Sequence, residues 1–355
     1  MTDLTEAFRE RIQAASRDAP LCIRGGGSKD FYGQAPRGEL LETRAHTGVL
    51  AYEPTELVIT ARCGTPLAEI EATLVEQGQC LAFEPPRFGE NSTIGGAVAA
   101  GLSGPRRVSA GAVRDFVLGV KILDGAAHEL NFGGQVMKNV AGYDVSRVMA
   151  GSLGTLGLLL EMSLKVLPKP VAEATLCFAM PQAAALDKLN RWAGQPLPIV
   201  ASTWQDDMLS VRLAGARAAI AAAEQMLGGE KVGAGETAFW DELRDQRATF
   251  FAGATPLWRL SVPSVAPVID LPGATLIEWG GALRWLNSTA PAEEIRAAAA
   301  KVGGSATLYR ADAALIAQVG AFAPLPALLM NLHRRLKQTF DPHGIFNPGR
   351  MYPEF

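Results

Sequence analysis

Glycine is concentrated at three places in this chain, and its chemistry would serve one purpose at all of them. The clusters are Arg24-Gly25-Gly26-Gly27-Ser28-Lys29, Thr93-Ile94-Gly95-Gly96 and Gly151-Ser152-Leu153-Gly154-Thr155-Leu156-Gly157. Each follows or opens a strand-like or small-residue segment. A backbone without Cβ lets N–H groups close on an anion. One such cluster alone is a turn. Three within one half of the chain point to a dinucleotide held along its length.

The familiar phosphate motifs are excluded. A P-loop needs Gly-Lys, and the sequence has no such pair. A Rossmann turn at the first cluster would need Gly or Ala where Asp30 stands. The nominal match at Gly233-Ala234-Gly235-Glu236-Thr237-Ala238 lies far from the other clusters and is a weak signal by itself. Metal chemistry has little footing. Cys22, Cys63, Cys80 and Cys177 show no C-x-x-C spacing and sit in apolar surroundings, as buried structural thiols do. His46, His128, His333 and His343 form no i, i+4 pair and no H-x-H, so no metal site is expected.

A chain of 355 residues exceeds one comfortable core, so two lobes are expected. With 48% hydrophobic and 19% charged residues and a net charge of −3, it reads as a globular protein without the basic surface that nucleic acid requires. No apolar run has the length of a membrane span. The first helix carries charge throughout, which argues against a signal peptide. A cytoplasmic protein is expected, reaching the inner face of a membrane only through partners.

The elements that must hold the glycine clusters alternate between strand and helix over residues 1–170. Leu21–Arg24 is a strand entering the first cluster, and Leu57–Ala61 another. Asp3 and Glu6 are read as capping the first helix, which presents Leu4, Phe8 and Ile12 on one face. A second helix runs over 66–76 with Thr65 as its N-cap. Residues 93–101 suit a helix N-terminus close to a ligand. Val117–Leu123, Asp124-Gly125 and His128–Phe132 read as a β-hairpin. Residues 158–166 alternate as a strand, with Leu158, Leu160, Met162 and Leu164 on one face.

Residues 171–325 contain a duplication. Trp204 and Trp279 lie 75 residues apart, as do Gly228-Gly229 and Gly303-Gly304. Both copies read strand, turn, strand, alanine-rich helix, Gly-Gly, with a strand and helix before each. Two β-α-β-β-α-β units side by side predict one antiparallel sheet with helices on a face. The tryptophans are read as core. Residues 326–355 begin as a helix and end in a Pro- and Gly-punctuated tail whose Ile345 and Phe346 suggest a return to the first lobe.

The three clusters, together with Lys138-Asn139-Val140-Ala141-Gly142-Tyr143-Asp144, resemble the PCMH-type FAD-binding domain of the vanillyl-alcohol oxidase/p-cresol methylhydroxylase superfamily. Within it, Leu102-Ser103-Gly104-Pro105-Arg106-Arg107, residues 138–147 and the closing run 340–350 are similar to the FAD-binding subunits of glycolate oxidases. The resemblance covers nearly the whole chain and implies an α+β fold: a two-subdomain FAD-binding lobe plus a cap lobe. It implies that Arg24, Gly25, Gly26, Gly27 and Ser28 cradle the FAD pyrophosphate, with Thr93, Ile94, Gly95 and Gly96 opposite. Gly151, Gly154, Thr155, Gly157 and Leu158 would border the flavin and ADP portions. Lys138 and Asn139 would lie towards the isoalloxazine. Lys138 and Arg106 are each read either as a cation at the flavin's N1–C2 edge or as a solvated charge. Tyr143 is read as packing. An aspartate at Gly26 would set a carboxylate facing the diphosphate.

Two departures from the pattern carry information. Members with covalent flavin have His where Ser28 stands, so the FAD here is expected to be non-covalent. Related 2-hydroxy-acid dehydrogenases have Glu where Leu153 stands and a histidine metal group in the cap that this chain lacks. No catalytic base or electrophile set is identified. The implied function is the FAD-binding subunit of a heteromeric oxidase converting glycolate to glyoxylate without NAD. The implied partners are a larger FAD-binding subunit, where the oxidation itself would fall, and an iron–sulfur subunit that receives electrons. A self-sufficient flavin dehydrogenase and a scaffold with non-catalytic FAD are the alternatives.

Overall fold

The structure, a computed structural model, describes residues 3–134, 144–233 and 235–355. They fall into two units, one of Met1–Leu102, Ala112–Pro168 and Pro324–Phe355, the other of Ser103–Gly111 and Lys169–Ala323. Among the described residues no helix is long and apolar enough to cross a membrane.

The first unit opens with α1 (Thr5–Ala14), which buries Phe8 and Ile12. Its N-cap is Leu4, without a side-chain cap; Asp3 instead accepts from the Thr5 amide and hydroxyl, and Glu6 faces Arg9. β1 (Leu21–Arg24) pairs in parallel with β2 (Glu39–Glu42). On its other side Leu21 meets Phe346, with the Asn347 amide donating to the Leu21 carbonyl, so the end of the chain closes this small sheet.

A second, five-stranded antiparallel sheet uses β3 (Val49–Glu53), β4 (Val58–Arg62), β5 (Val117–Leu123), β6 (Glu129–Gly133) and β7 (Leu158–Lys165), in the order β3-β4-β7-β5-β6. β5 and β6 are the expected hairpin. In β7 Leu159 and Ser163 are buried as well as the alternating apolar set, because this central strand is covered on both faces. α2 (Leu67–Glu76) is capped by Pro66. Thr65 is buried, its hydroxyl engaged with Gly48 instead. α3 (Ile94–Ala100) begins where the sequence suits a helix N-terminus, and its N-cap is Thr93, whose hydroxyl accepts from the Gly96 amide at 3.1 Å.

The second unit is built on an eight-stranded antiparallel sheet. Its first half is β8 (Ala172–Ala179), α4 (Gln182–Ala193), β9 (Ile199–Gln205), β10 (Met208–Gly215), α5 (Arg217–Leu227) and β11 (Glu230–Lys231). Its second half is β12 (Leu257–Ser261), β13 (Ala274–Glu278), β14 (Leu283–Asn287), α6 (Ala292–Lys301) and β15 (Ser305–Arg310). The order β11-β8-β10-β9-β13-β14-β12-β15 is the same four-strand arrangement written forwards and then backwards, as a duplication requires. The halves meet at Thr203 opposite Glu278 and Trp204 opposite Ile277.

The copies differ after their first strand. No helix follows β12. Residues 262–273 contain Pro263, Pro267 and Pro272, which a helix interior does not accommodate. The buried guanidinium of Arg284 satisfies this loop, donating to the carbonyls of Ala266, Pro267 and Gly281. Ser103–Gly111, read from sequence with the first lobe, belongs to this unit. The Trp279 indole donates to the Gly104 carbonyl at 3.0 Å, and the Arg107 guanidinium lies 4.5 Å from the Trp279 ring centre. Both duplicated tryptophans are buried.

Candidate functional site

The three glycine clusters converge on one groove in the first unit, about 830 Å³ when counted out to its open mouth. Its walls come from β1 and the loop after it, from Thr93 and α3, and from the turn before β7.

Each glycine has an identifiable reason. Gly27 takes φ +71°, folding the first loop back so that Asp30 N–H reaches the Gly27 carbonyl and its carboxylate meets Arg24 at 2.5 Å. A Cβ on Gly25 would lie 2.6 Å from the Thr93 hydroxyl, and one on Gly26 would run into the Asn91 carbonyl. The first two clusters are therefore packed back to back. Any side chain at position 26 would force them apart, which replaces the electrostatic argument made from sequence. A Cβ on Gly95 would meet Cys63 Cβ at 2.6 Å, whereas one on Gly96 would meet only the Thr93 hydroxyl, at 3.1 Å. Gly96 is a groove residue with no close packing neighbour to require it.

Of the residues singled out from sequence, Arg24 to Ser28, Thr93, Gly95, Gly96, Gly154, Gly157 and Leu158 line the groove. Ile94, Gly151 and Thr155 do not. Ile94 is fully buried in the core, and Gly151 packs against the Gly101 backbone. Thr155 turns inward, its hydroxyl on the Ser152 carbonyl at 2.7 Å. Lys138, Asn139 and Tyr143 lie outside the described residues.

The sequence reading missed Lys29, Asn347 and Arg350, which also line the groove. Lys29 is buried; its ammonium donates to Ser92 Oγ at 2.9 Å and Ser28 Oγ at 3.3 Å. Arg350 donates to the carbonyls of Lys29, Asp30 and Gln34, fastening the first loop from behind. Burial pushes its pKa down while Asp30 pulls it up. The groove's charged lining is thus Arg24, Lys29 and Arg350 against Asp30, a local excess of two positive charges in a chain of net charge −3. Such a surface suits an anion whatever the overall balance. Cys22 and Cys63 also line it, but burial raises both thiols, Cys63 to about 12, so neither is a thiolate nucleophile. Cys80 and Cys177, read from sequence as buried, are only half-buried, and all four cysteines are free.

A first loop whose backbone carries no Cβ cover and a net cationic lining fit the diphosphate of a dinucleotide cofactor, while the amides of Ile94, Gly95 and Gly96 at the start of α3 already donate to Thr65, Cys63 and Thr93. The cofactor class follows: residues 5–133 match the FAD binding domain family and residues 326–351 the C-terminal domain of FAD linked oxidases. Over 353 residues the chain is 51% identical to glycolate oxidase subunit GlcE of Escherichia coli K12, covering 99% of this chain and 98% of that protein. It belongs to that family of FAD-linked oxidoreductase subunits. Glycolate oxidase subunit GlcD of Bacillus subtilis is 31% identical over 160 residues, 44% of this chain and 34% of that one. In fold, the chain superposes on a 4-ethylphenol oxidase from Gulosibacter chungangensis with TM-score 0.70 at 14% identity, covering 99% of this chain and 88% of that one. It also superposes on an alkyldihydroxyacetonephosphate synthase with TM-score 0.66, covering 97% and 74%.

Proposed function

We propose that this chain is the FAD-binding subunit of a heteromeric glycolate oxidase. It would work beside a larger flavin subunit that oxidises glycolate to glyoxylate and an iron–sulfur subunit that takes the electrons onward. The observation that carries the reading is the cationic groove with its uncovered Gly96, in a chain half identical to a glycolate oxidase subunit over its whole length. Gly25 to Ser28, Thr93, Gly95 and Gly96 hold the diphosphate; Gly154, Gly157 and Leu158 border the remainder of the FAD. When bound, FAD supplies a two-electron acceptor. Ser28 has no nucleophilic ring nitrogen to offer the flavin, so attachment is non-covalent.

The test uses purified protein. It should be yellow and release its FAD into the supernatant on acid precipitation; flavin retained in the pellet refutes the non-covalent reading. The isolated chain should leave its flavin oxidised under anaerobic glycolate. Adding the two partner subunits should give turnover with an artificial acceptor. Rapid bleaching by glycolate alone would instead make this a self-sufficient dehydrogenase. Full turnover by a complex whose copy of this chain holds no FAD would make it a scaffold.

A further inference from the structure

Glycine loops cannot hold themselves in place, because they have no side chains with which to do it. In this unit the task falls to residues 337–350. Asn347 is buried at φ +43°, a conformation Asn tolerates better than most residues. Its Oδ1 accepts from the Ile23 amide at 2.7 Å, immediately before the first glycine cluster. Its Nδ2 donates to the Leu153 carbonyl at 2.6 Å, one residue before Gly154. A single carboxamide thus bridges the two loops on which the groove depends. It also dictates Gly154, where a Cβ would fall 2.6 Å from Asn347 Nδ2. Leu153 itself is left-handed, at φ +51°, and its amide donates to Ala99 of α3. The third loop is therefore tied to the helix of the second as well.

Behind the carboxamide stands a buried ion pair. Within α7 (Ala327–Phe340), Lys337 sends its three donors to Asp341 Oδ2 at 2.6 Å, the Phe346 carbonyl at 2.7 Å and the Thr155 carbonyl at 2.8 Å. Asp341 accepts in turn from the amides of Ile345 and Phe346. The pair thus fixes two amides and one carbonyl immediately before Asn347.

We infer that Asn347 is a positioning residue for the cofactor. It couples the first and third loops so that the groove opens or closes as one body, and cofactor binding and C-terminal order reinforce each other. This rests on the FAD reading above. Binding coupling is reciprocal: if the tail holds the loops for FAD, FAD must hold the tail.

The experiment compares wild type with Asn347→Gly, which accepts the positive φ without strain and adds no charge that would act on the cofactor directly. FAD is titrated into apoprotein, and amide exchange is followed at Ile345 and Phe346, which are buried and do not line the groove. Wild type should show exchange at those two amides slowed at least tenfold by FAD. Asn347→Gly should bind FAD about tenfold more weakly and lose most of that slowing. Equal FAD affinity in a folded variant, or wild-type exchange indifferent to FAD, overturns the inference while leaving the cofactor assignment intact. Wild type that binds no FAD overturns both. Should Asn347→Gly fail to fold, the wild-type exchange measurement decides alone.

Discussion

Gly96→Ala separates two reasons for which a glycine can stand in the second loop. Gly96 is in the first turn of α3, where alanine is favoured over glycine by about 0.8–1.0 kcal/mol. Against that gain stands one contact, the new Cβ at 3.1 Å from the Thr93 hydroxyl, which is held as the N-cap acceptor of the Gly96 amide and must give by a few tenths of an ångström. The net change in apoprotein stability should lie within about 1 kcal/mol of zero. Cofactor affinity should behave differently. The Gly96 amide already donates to Thr93, so the methyl acts by intruding on the groove wall at α3; crowding of this kind costs about 1–3 kcal/mol, so Kd should rise roughly 5- to 150-fold. Urea unfolding of apoprotein and quenching of flavin fluorescence measure the two quantities independently. Gly95→Ala is the control. Its Cβ would sit 2.6 Å from Cys63 Cβ and 2.7 Å from the Cys63 carbonyl, so stability itself should fall by about 2–3 kcal/mol. Unchanged FAD affinity in Gly96→Ala would refute the claim that this glycine is bare for the cofactor.

Two further outcomes concern the first unit's stability. His46 is fully buried, its Nδ1 accepting from the Leu4 amide, and desolvation chiefly holds its pKa below the usual 6.5 despite the pull of Asp3. The unfolded chain then binds a proton that the native state refuses. Stability should be complete above about pH 6.5 and decline below it, by at most about 1.4 kcal/mol per pH unit from this group. His46→Asn, which keeps an acceptor for Leu4, should flatten that slope in pH-dependent denaturant midpoints; an unchanged slope refutes the assignment. Lys337→Met strands the buried Asp341 carboxylate and two carbonyls, and should lower unfolding free energy by about 3–5 kcal/mol in denaturant titration; a loss under about 1 kcal/mol would show the pair to be dispensable.

The glycine loops were legible because a residue without a side chain has few reasons to recur in clusters, and anion approach is one of them. What holds the loops was not legible. Asn347 and Ile23 are 324 residues apart, and Arg350 and Gln34 316 apart, so no local pattern announces either pair. The tail reads as docking through Ile345 and Phe346, but nothing local to Asn347, beside Pro348 and Gly349, assigns it a partner. Thr155 shows the opposite error: a hydroxyl in a glycine cluster suggests a ligand, yet tertiary packing turned it to its own backbone. In the second unit the repeat was readable from paired tryptophans and glycines, and the strand order follows from it. The helix expected after β12 was carried over by symmetry from the first copy, although three prolines in 262–273 argued against it.

The pairing of Leu21 with Phe346 has a consequence for how the protein is made. The second neighbour of strand β1 is translated 325 residues after it. At roughly 5–20 residues per second that interval is on the order of 15–65 s. The eight-stranded unit, contained within Ser103–Gly111 and Lys169–Ala323, has all its strands available before the last part of the first unit is translated. The first glycine loop must wait on the ribosome with one edge of its strand open, a template for unwanted pairing until the tail arrives. The groove includes Asn347 and Arg350, so FAD can meet its finished form only after residue 350 has been added.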